Sequence, residues 1–350
     1  MELGIFHEFP RPHDGDEARA FHEAFVEVEE AERYGFDTMW LAELHFSPFR
    51  SVLASPLVIA AGLAARTTRI KIGTAVHVLP LGNPLRTAEE AATVDHIARG
   101  RFEFGIGRSG FPRTYETFGV PYGQSRDQLF EQLEIIRKAW TEDTFSHRGK
   151  YFSYDNVTLI PKPYQKPHPP IRIAINSADT YALVGRMGYP VFVAVRLGSL
   201  TDLIEPLREY RAAWKDAGHP GEPSVAIRMP VFVGESRDEA LTIPRDSTMG
   251  FYRFLSERLI DSSTRAGTRE IENRAARGER LGKITYEEAL VDKLTYGTPE
   301  MVIDRLQQLR EMLGFSSILA EMNCGHQVGH ANVLKSMRLF MEKVAPKLKG

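Results

Sequence analysis

The run Gly105-Ile106-Gly107-Arg108-Ser109-Gly110 places three glycines and a guanidinium directly after a short apolar stretch. Glycines let backbone N–H groups approach a ligand closely, and the arginine fork matches phosphate or carboxylate. The spacing is that of the dinucleotide fingerprint, but Phe111-Pro112-Arg113 does not open a helix at once. The run also falls on the fourth strand of a series, so the dinucleotide reading fails on context. Two readings stay open for Arg108: a strand-end anion cradle, or a turn arginine facing solvent. His45 ends a second apolar run two residues after Glu43. An imidazole titrates near neutrality, so His45 reads as a hydrogen-bond partner or general base, or as a structural histidine that supports its loop. His7 and His77 end the first and third runs and are expected at the same mouth. Glu43 and Glu321 are expected to be buried strand-end carboxylates paired with a cation or a backbone N–H. None of these groups has a metal-ligand spacing.

These residues need strands that end together. Short β-rich runs predict strands at Leu3–Phe6, Thr38–Leu41, Ile70–Thr74, Phe102–Ile106, Ile171–Ile175, Val191–Val195, Ala226–Val233 and Ser317–Glu321. Between them, helical periodicity predicts Glu17–Tyr34, with Phe21, Phe25, Val28 and Ala31 facing the core, then Pro56–Ala65, Thr87–Ile97 and Gln124–Trp140. Further helices are expected near Thr180–Met187, Leu200–Ala217, after Asp238, and at Glu300–Leu313 and Val333–Val344. Eight alternating units over 350 residues favour an α/β fold, a single (β/α)₈ TIM barrel over residues 1–350. Two excursions interrupt it. A proline-rich stretch at 143–168 follows strand four, and 256–290 lies near strand seven, with Ser262–Arg280 reading as a lid.

Composition narrows the function. Forty-four basic against 46 acidic residues give a net charge of −2, which argues against a nucleic-acid surface. One cysteine, Cys324, excludes an internal disulfide framework and a multi-thiolate metal site. The amino terminus has no leader pattern and 56–65 is too short to span a bilayer, so a cytoplasmic protein without membrane attachment is expected.

Several segments, in order, resemble the bacterial luciferase-like family of flavin-dependent monooxygenases: Gly35-Phe36-Asp37-Thr38 with Trp40, Glu43-Leu44-His45-Phe46, Gly73-Thr74-Ala75-Val76, Pro84-Leu85-Arg86 with Glu89, Gly100-Arg101-Phe102, Gly105 to Gly110, Ser125-Arg126 and Gly297-Thr298-Pro299-Glu300. The resemblance implies a (β/α)₈ barrel that takes reduced FMN from a separate NAD(P)H:flavin reductase. It implies reaction with dioxygen to a flavin hydroperoxide and oxygenation of a small organic substrate. It also implies a phosphate cradle on Arg108, Arg126, Asn176, Ser177 and Thr180, and a non-prolyl cis peptide at Ala75–Val76 beside the flavin ring. A phosphate suits two guanidinium forks and a helix N-terminus, although Asn176 and Ser177 also read as ordinary helix caps.

Leu44 stands where the luciferase catalytic subunit has the first of two adjacent histidines, the one given the catalytic role, and His45 matches the second. That role does not carry over, which leaves His45 as the catalytic candidate. It also leaves two other readings: hydride transfer with a deazaflavin, which relatives on this barrel use, and a non-catalytic flavin-binding or partner subunit. Water excluded from the flavin calls for an apolar cavity, with Phe6, Phe9, Phe46, Phe49, Phe111 and Tyr115 as expected linings. Family resemblance further implies a homodimer, for which Pro56–Ala65 with Ala88, Ala91 and Ala92 offers small-residue helix surfaces.

Overall fold

A computed structural model describes residues 1–194, 199–265 and 271–349. Eight parallel strands close on themselves: β1 (Glu2–His7), β2 (Thr38–Leu41), β3 (Lys71–Thr74), β4 (Phe102–Gly107), β5 (Ile171–Ala174), β6 (Val191–Ala194), β7 (Val225–Val233) and β8 (Ser317–Glu321). Each pairs with the next in sequence, and β8 pairs with β1 through Glu2 opposite Ser317. The expected end of β6 at Val195 lies outside the described residues.

Helices wrap the barrel: α1 (Glu17–Tyr34), α2 (Pro56–Arg66), α3 (Pro84–Ile97), α4 (Ser125–Thr141), α5 (Ala178–Met187) and α6 (Ile204–Asp216), then α7 (Arg245–Ser263), α8 (Ile271–Lys283), α9 (Pro299–Leu313) and α10 (His330–Leu339). Their ends follow local chemistry. Asp16 caps α1 by accepting from Arg19 N–H, and Gly35 closes it at φ 97°, where a side chain would be strained. Val28 and Ala31 face inward as expected, but Ala20 and Ala24 take the places expected of Phe21 and Phe25. Phe21 is 37% exposed, and it flanks Phe9 together with Phe25 at ring distances of 5.9 and 6.0 Å. Small alanines let the helix approach the strands closely, which two phenylalanines would prevent.

The barrel interior is filled from opposite sides. Trp40 on β2 meets Phe192 on β6 edge-to-face at 4.9 Å, and both are buried. Strand glycines make the room: a methyl on Gly4 would come within 2.8 Å of the indole, and one on Gly73 within 2.3 Å. Gly73→Ala is therefore expected to lose about 1–3 kcal/mol through overpacking. Its denaturation midpoint tests this, and an unchanged midpoint would mean the indole is not wedged.

The first excursion folds as an antiparallel hairpin, Phe145–Arg148 with Ser153–Val157. The Glu131 carboxylate on α4 ties it down by accepting from the Lys150, Tyr151 and Phe152 N–H groups at 2.8–3.1 Å. The second excursion begins earlier than expected, because α7 already starts at Arg245. Gly278 lets α8 press on α7: its added Cβ would lie 2.8 Å from Ile260. Of the expected lid, residues 266–270 lie outside those described. A short strand, Thr295–Gly297, extends the β7 edge and has no counterpart in the sequence reading.

Candidate active site

The C-terminal strand ends open into a cavity of about 430 Å³ whose walls include Leu44, Ala75, Val76, Arg108, Asn176 and Arg228. Beside it, a chamber of about 190 Å³ is lined by Arg108, Arg126, Asn176, Ser177, Thr180 and Arg274. The two share Arg108, Ser109, Gly110, Ala174, Asn176 and Arg277, so they form one continuous space. The sequence-predicted cradle residues, drawn from the end of β4 and the starts of α4 and α5, thus come together.

The smaller chamber gathers four arginines, Arg108, Arg126, Arg274 and Arg277. The Arg108 Nη1 donates to Ser125 Oγ at 3.2 Å and its guanidinium lies over the Tyr122 ring, which fixes its direction. Ser177 occupies the N-cap position of α5, yet its side chain caps no helix N–H. It instead shares a 2.7 Å hydrogen bond with Thr180 Oγ1, leaving that N-terminus open. Arg126 is not free, because it pairs with Asp179. Arg274 donates through Nη2 to Gly110 O, while its buried Nε has no partner. An orphaned buried donor in a chamber with three further arginines fits a phosphate, which would satisfy it. Arg274 and Arg277 were missed in the sequence because they sit in a polar stretch with no motif.

At the wider cavity, the Ala75–Val76 peptide is cis. Gly107 makes room for Val76, since a Cβ there would lie 2.8 Å from Val76 Cγ2. Leu44 lines this cavity but His45 does not. His45 turns into an adjoining pocket, its Nε2 2.8 Å from Glu43 Oε1 and its ring edge-on to Phe118 at 5.0 Å. Glu43 Oε2 accepts from Val78 N–H at 2.9 Å and lies 2.9 Å from His77 Nδ1. Burial alone would raise the Glu43 pKa, but the His77 charge and the hydrogen bonds from His45, His77 and Val78 outweigh it and hold it at about 2. Since this folded value lies below the ordinary 4.5, the stabilisation is complete above pH 4.5 and is lost as pH falls towards 2. Glu43→Gln is expected to flatten the acid limb of a stability–pH profile in that window; an unaltered limb would contradict the assignment.

The cavity floor carries charges. Glu8 accepts from Arg50 Nε at 2.7 Å and from Arg228 Nη2 at 2.8 Å, and His326 Nε2 lies 2.9 Å from it. Arg228 also donates through Nε to Glu321 at 3.0 Å and stacks over Phe6 at 3.4 Å. Burial raises the Glu8 pKa, but Arg50, Arg228 and His326 together hold it well below its ordinary range. Glu321 thus finds the expected cation. A signal for Arg228 was present in the sequence: one arginine inside the nine-residue, fully buried strand VAIRMPVFV.

Other expectations are corrected. Phe6 and Phe111 line the wide cavity, but Phe9 is core, Phe49 is 90% exposed, and Tyr115 packs in a separate cluster with Val78 and Tyr122. His7 is not among the residues lining the wide cavity, and its Nε2 lies 2.6 Å from Glu27 Oε2. Ala88, Ala91 and Ala92 are fully buried within the chain, so they offer no surface to a second copy.

The sequence model for luciferase-like monooxygenases matches residues 1–316. The alkanal monooxygenase alpha chain of Photorhabdus luminescens is 26% identical over 336 residues, covering 91% of this chain and 89% of that one. Among solved structures, the FMN complex of the oxygenating constituent of 3,6-diketocamphane monooxygenase, from the CAM plasmid of Pseudomonas putida, superposes with a TM-score of 0.83. It is 22% identical and the match covers 99% of this chain and 98% of that one. An F420-dependent secondary alcohol dehydrogenase superposes at 0.76 with 16% identity, covering 100% and 99%. At these identities the two structures show the shared barrel.

Proposed function

Because this chain belongs to the luciferase-like monooxygenase family, we propose that it is the oxygenating half of a two-component system. It takes reduced FMN from a separate flavin reductase and places one atom of dioxygen on a small organic substrate. The observation that carries this reading is the continuity of an arginine-rich chamber with an apolar cavity over the strand ends. When bound, the reduced isoalloxazine supplies the electrons that activate dioxygen. The chain does the rest. Arg108, Arg126 and Arg274, with Asn176, Ser177 and Thr180 at the α5 N-terminus, would hold the phosphate. Ala75 and Val76 would border the ring, and Phe6, Leu44 and Phe111, which wall the same cavity, would keep water from it. His45 handles a proton from the adjoining pocket, its ring fixed by Glu43, which borders both spaces.

The reading takes residues 1–350 as one barrel domain of a cytoplasmic homodimer, and Val58, 71% exposed on α2, is a point from which to map that contact. Anaerobic titration with reduced FMN, followed by ¹⁸O₂ and a panel of carbonyl and aromatic compounds, tests the chemistry. Saturable binding and label in a product support it. Peroxide release alone across the panel counts against oxygenation. Tight binding of a deazaflavin with no affinity for reduced FMN would turn the assignment to hydride transfer.

A further inference from the structure

Next to the wide cavity lies a pocket of about 30 Å³, room for the head of a ligand rather than its body. Its walls include Arg113 and Arg258, with the rings of Phe46, Phe111 and Phe254 around them. It shares Glu43, Leu44, Arg50, Val78, Ser109 and Phe111 with the wide cavity, so one molecule can occupy both.

The charges in this pocket are uneven. Arg50 is taken by Glu8, and the oxygens of Glu43 are taken by His45, His77 and Val78 N–H. Asp261, whose charge reaches Arg258, is bound by Arg265, as is Glu116. Arg113 and Arg258 are left without an ion-pair partner among the described residues. Arg258 is only partly exposed, and its guanidinium lies 5.2 Å from the centre of the Phe254 ring. Its pKa is pushed down by burial and then by the charge of Arg113, with Arg265 and Arg50 adding to that and Asp261 opposing it. Like charges gathered beside aromatic walls, with no ion-pair partner of their own among the described residues, are a poor arrangement for an empty pocket and a good one for an anion.

We infer that this pocket seats a carboxylate head group of the substrate, held by Arg113 and Arg258, while the substrate's apolar body lies in the 430 Å³ cavity against the flavin ring. The inference rests on the monooxygenase reading and narrows its substrate to organic acids. His45 lines this head-group pocket and not the ring cavity, with Nε2 turned to Glu43.

The test is calorimetric titration of the full-length protein, with and without saturating FMN, with matched pairs: benzoate and benzamide, octanoate and octanamide. At least one acid should bind tenfold or more tighter than its amide. In the Arg113→Gln, Arg258→Gln double variant that preference should fall below threefold, with amide and FMN affinities unchanged. No preference for either acid, or a preference that survives both substitutions, overturns the inference. A fall in FMN affinity in the variant assigns the pair to the cofactor instead, which also overturns it. If the protein binds no FMN at all, the monooxygenase reading fails while the acid–amide comparison remains readable on the free protein.

Discussion

Arg228→Ala is expected to lower folding stability by about 3–5 kcal/mol, the usual result of removing one partner from a buried ion cluster. Arg228 is the cation for Glu321 and one of two arginines on Glu8, and all four groups are nearly inaccessible. Without it Glu321 loses the guanidinium that solvates it and must bind a proton or draw in water. The double change Arg228→Met, Glu321→Gln, which removes both opposed charges, should recover part of the loss. Denaturant midpoints measure both variants, and a loss under about 1 kcal/mol for Arg228→Ala would show that the floor tolerates a lone carboxylate.

Arg108→Ala should weaken FMN binding by about 1.5–3 kcal/mol, roughly 10- to 150-fold, if its fork makes charge-assisted hydrogen bonds to the phosphate. Its fixed orientation argues for a large effect: Ser125 and the Tyr122 ring hold the guanidinium in place before ligand arrives. Arg108→Lys should restore only part of the affinity, because an ammonium is a point charge without the planar fork. Equilibrium dialysis with FMN and riboflavin reads the effect. Riboflavin lacks the phosphate, so its affinity should not change, and an equal loss for both ligands would remove Arg108 from the phosphate.

The eight barrel strands were legible because each is a short apolar run between helical stretches, and the strand bounds at Thr38–Leu41 and Ser317–Glu321 agree to the residue. The inner face of α1 was legible at Val28 and Ala31 but not at its first turns, because periodicity ranks Phe21 and Phe25 above Ala20 and Ala24 whereas close helix–strand packing reverses that order. The residues that meet in the smaller chamber were singled out only through family resemblance, since Asn176 and Ser177 look like any helix cap in isolation. Arg274 and Arg277 were invisible because their role depends on how α8 folds back over α7, a long-range contact with no local signature. His45 shows the same limit. It sits in the loop four residues beyond β2 rather than on the strand end, and it lines only the smaller pocket, whereas Leu44 borders both spaces.

The same excursion over residues 245–283 supplies Arg258 to one compartment and Arg274 and Arg277 to another. Any tilt of that helical pair therefore displaces both sets of cations in concert. Transplanting this stretch between related barrels should transfer ligand choice at either end as a linked trait, while the cylinder beneath serves as an interchangeable chassis.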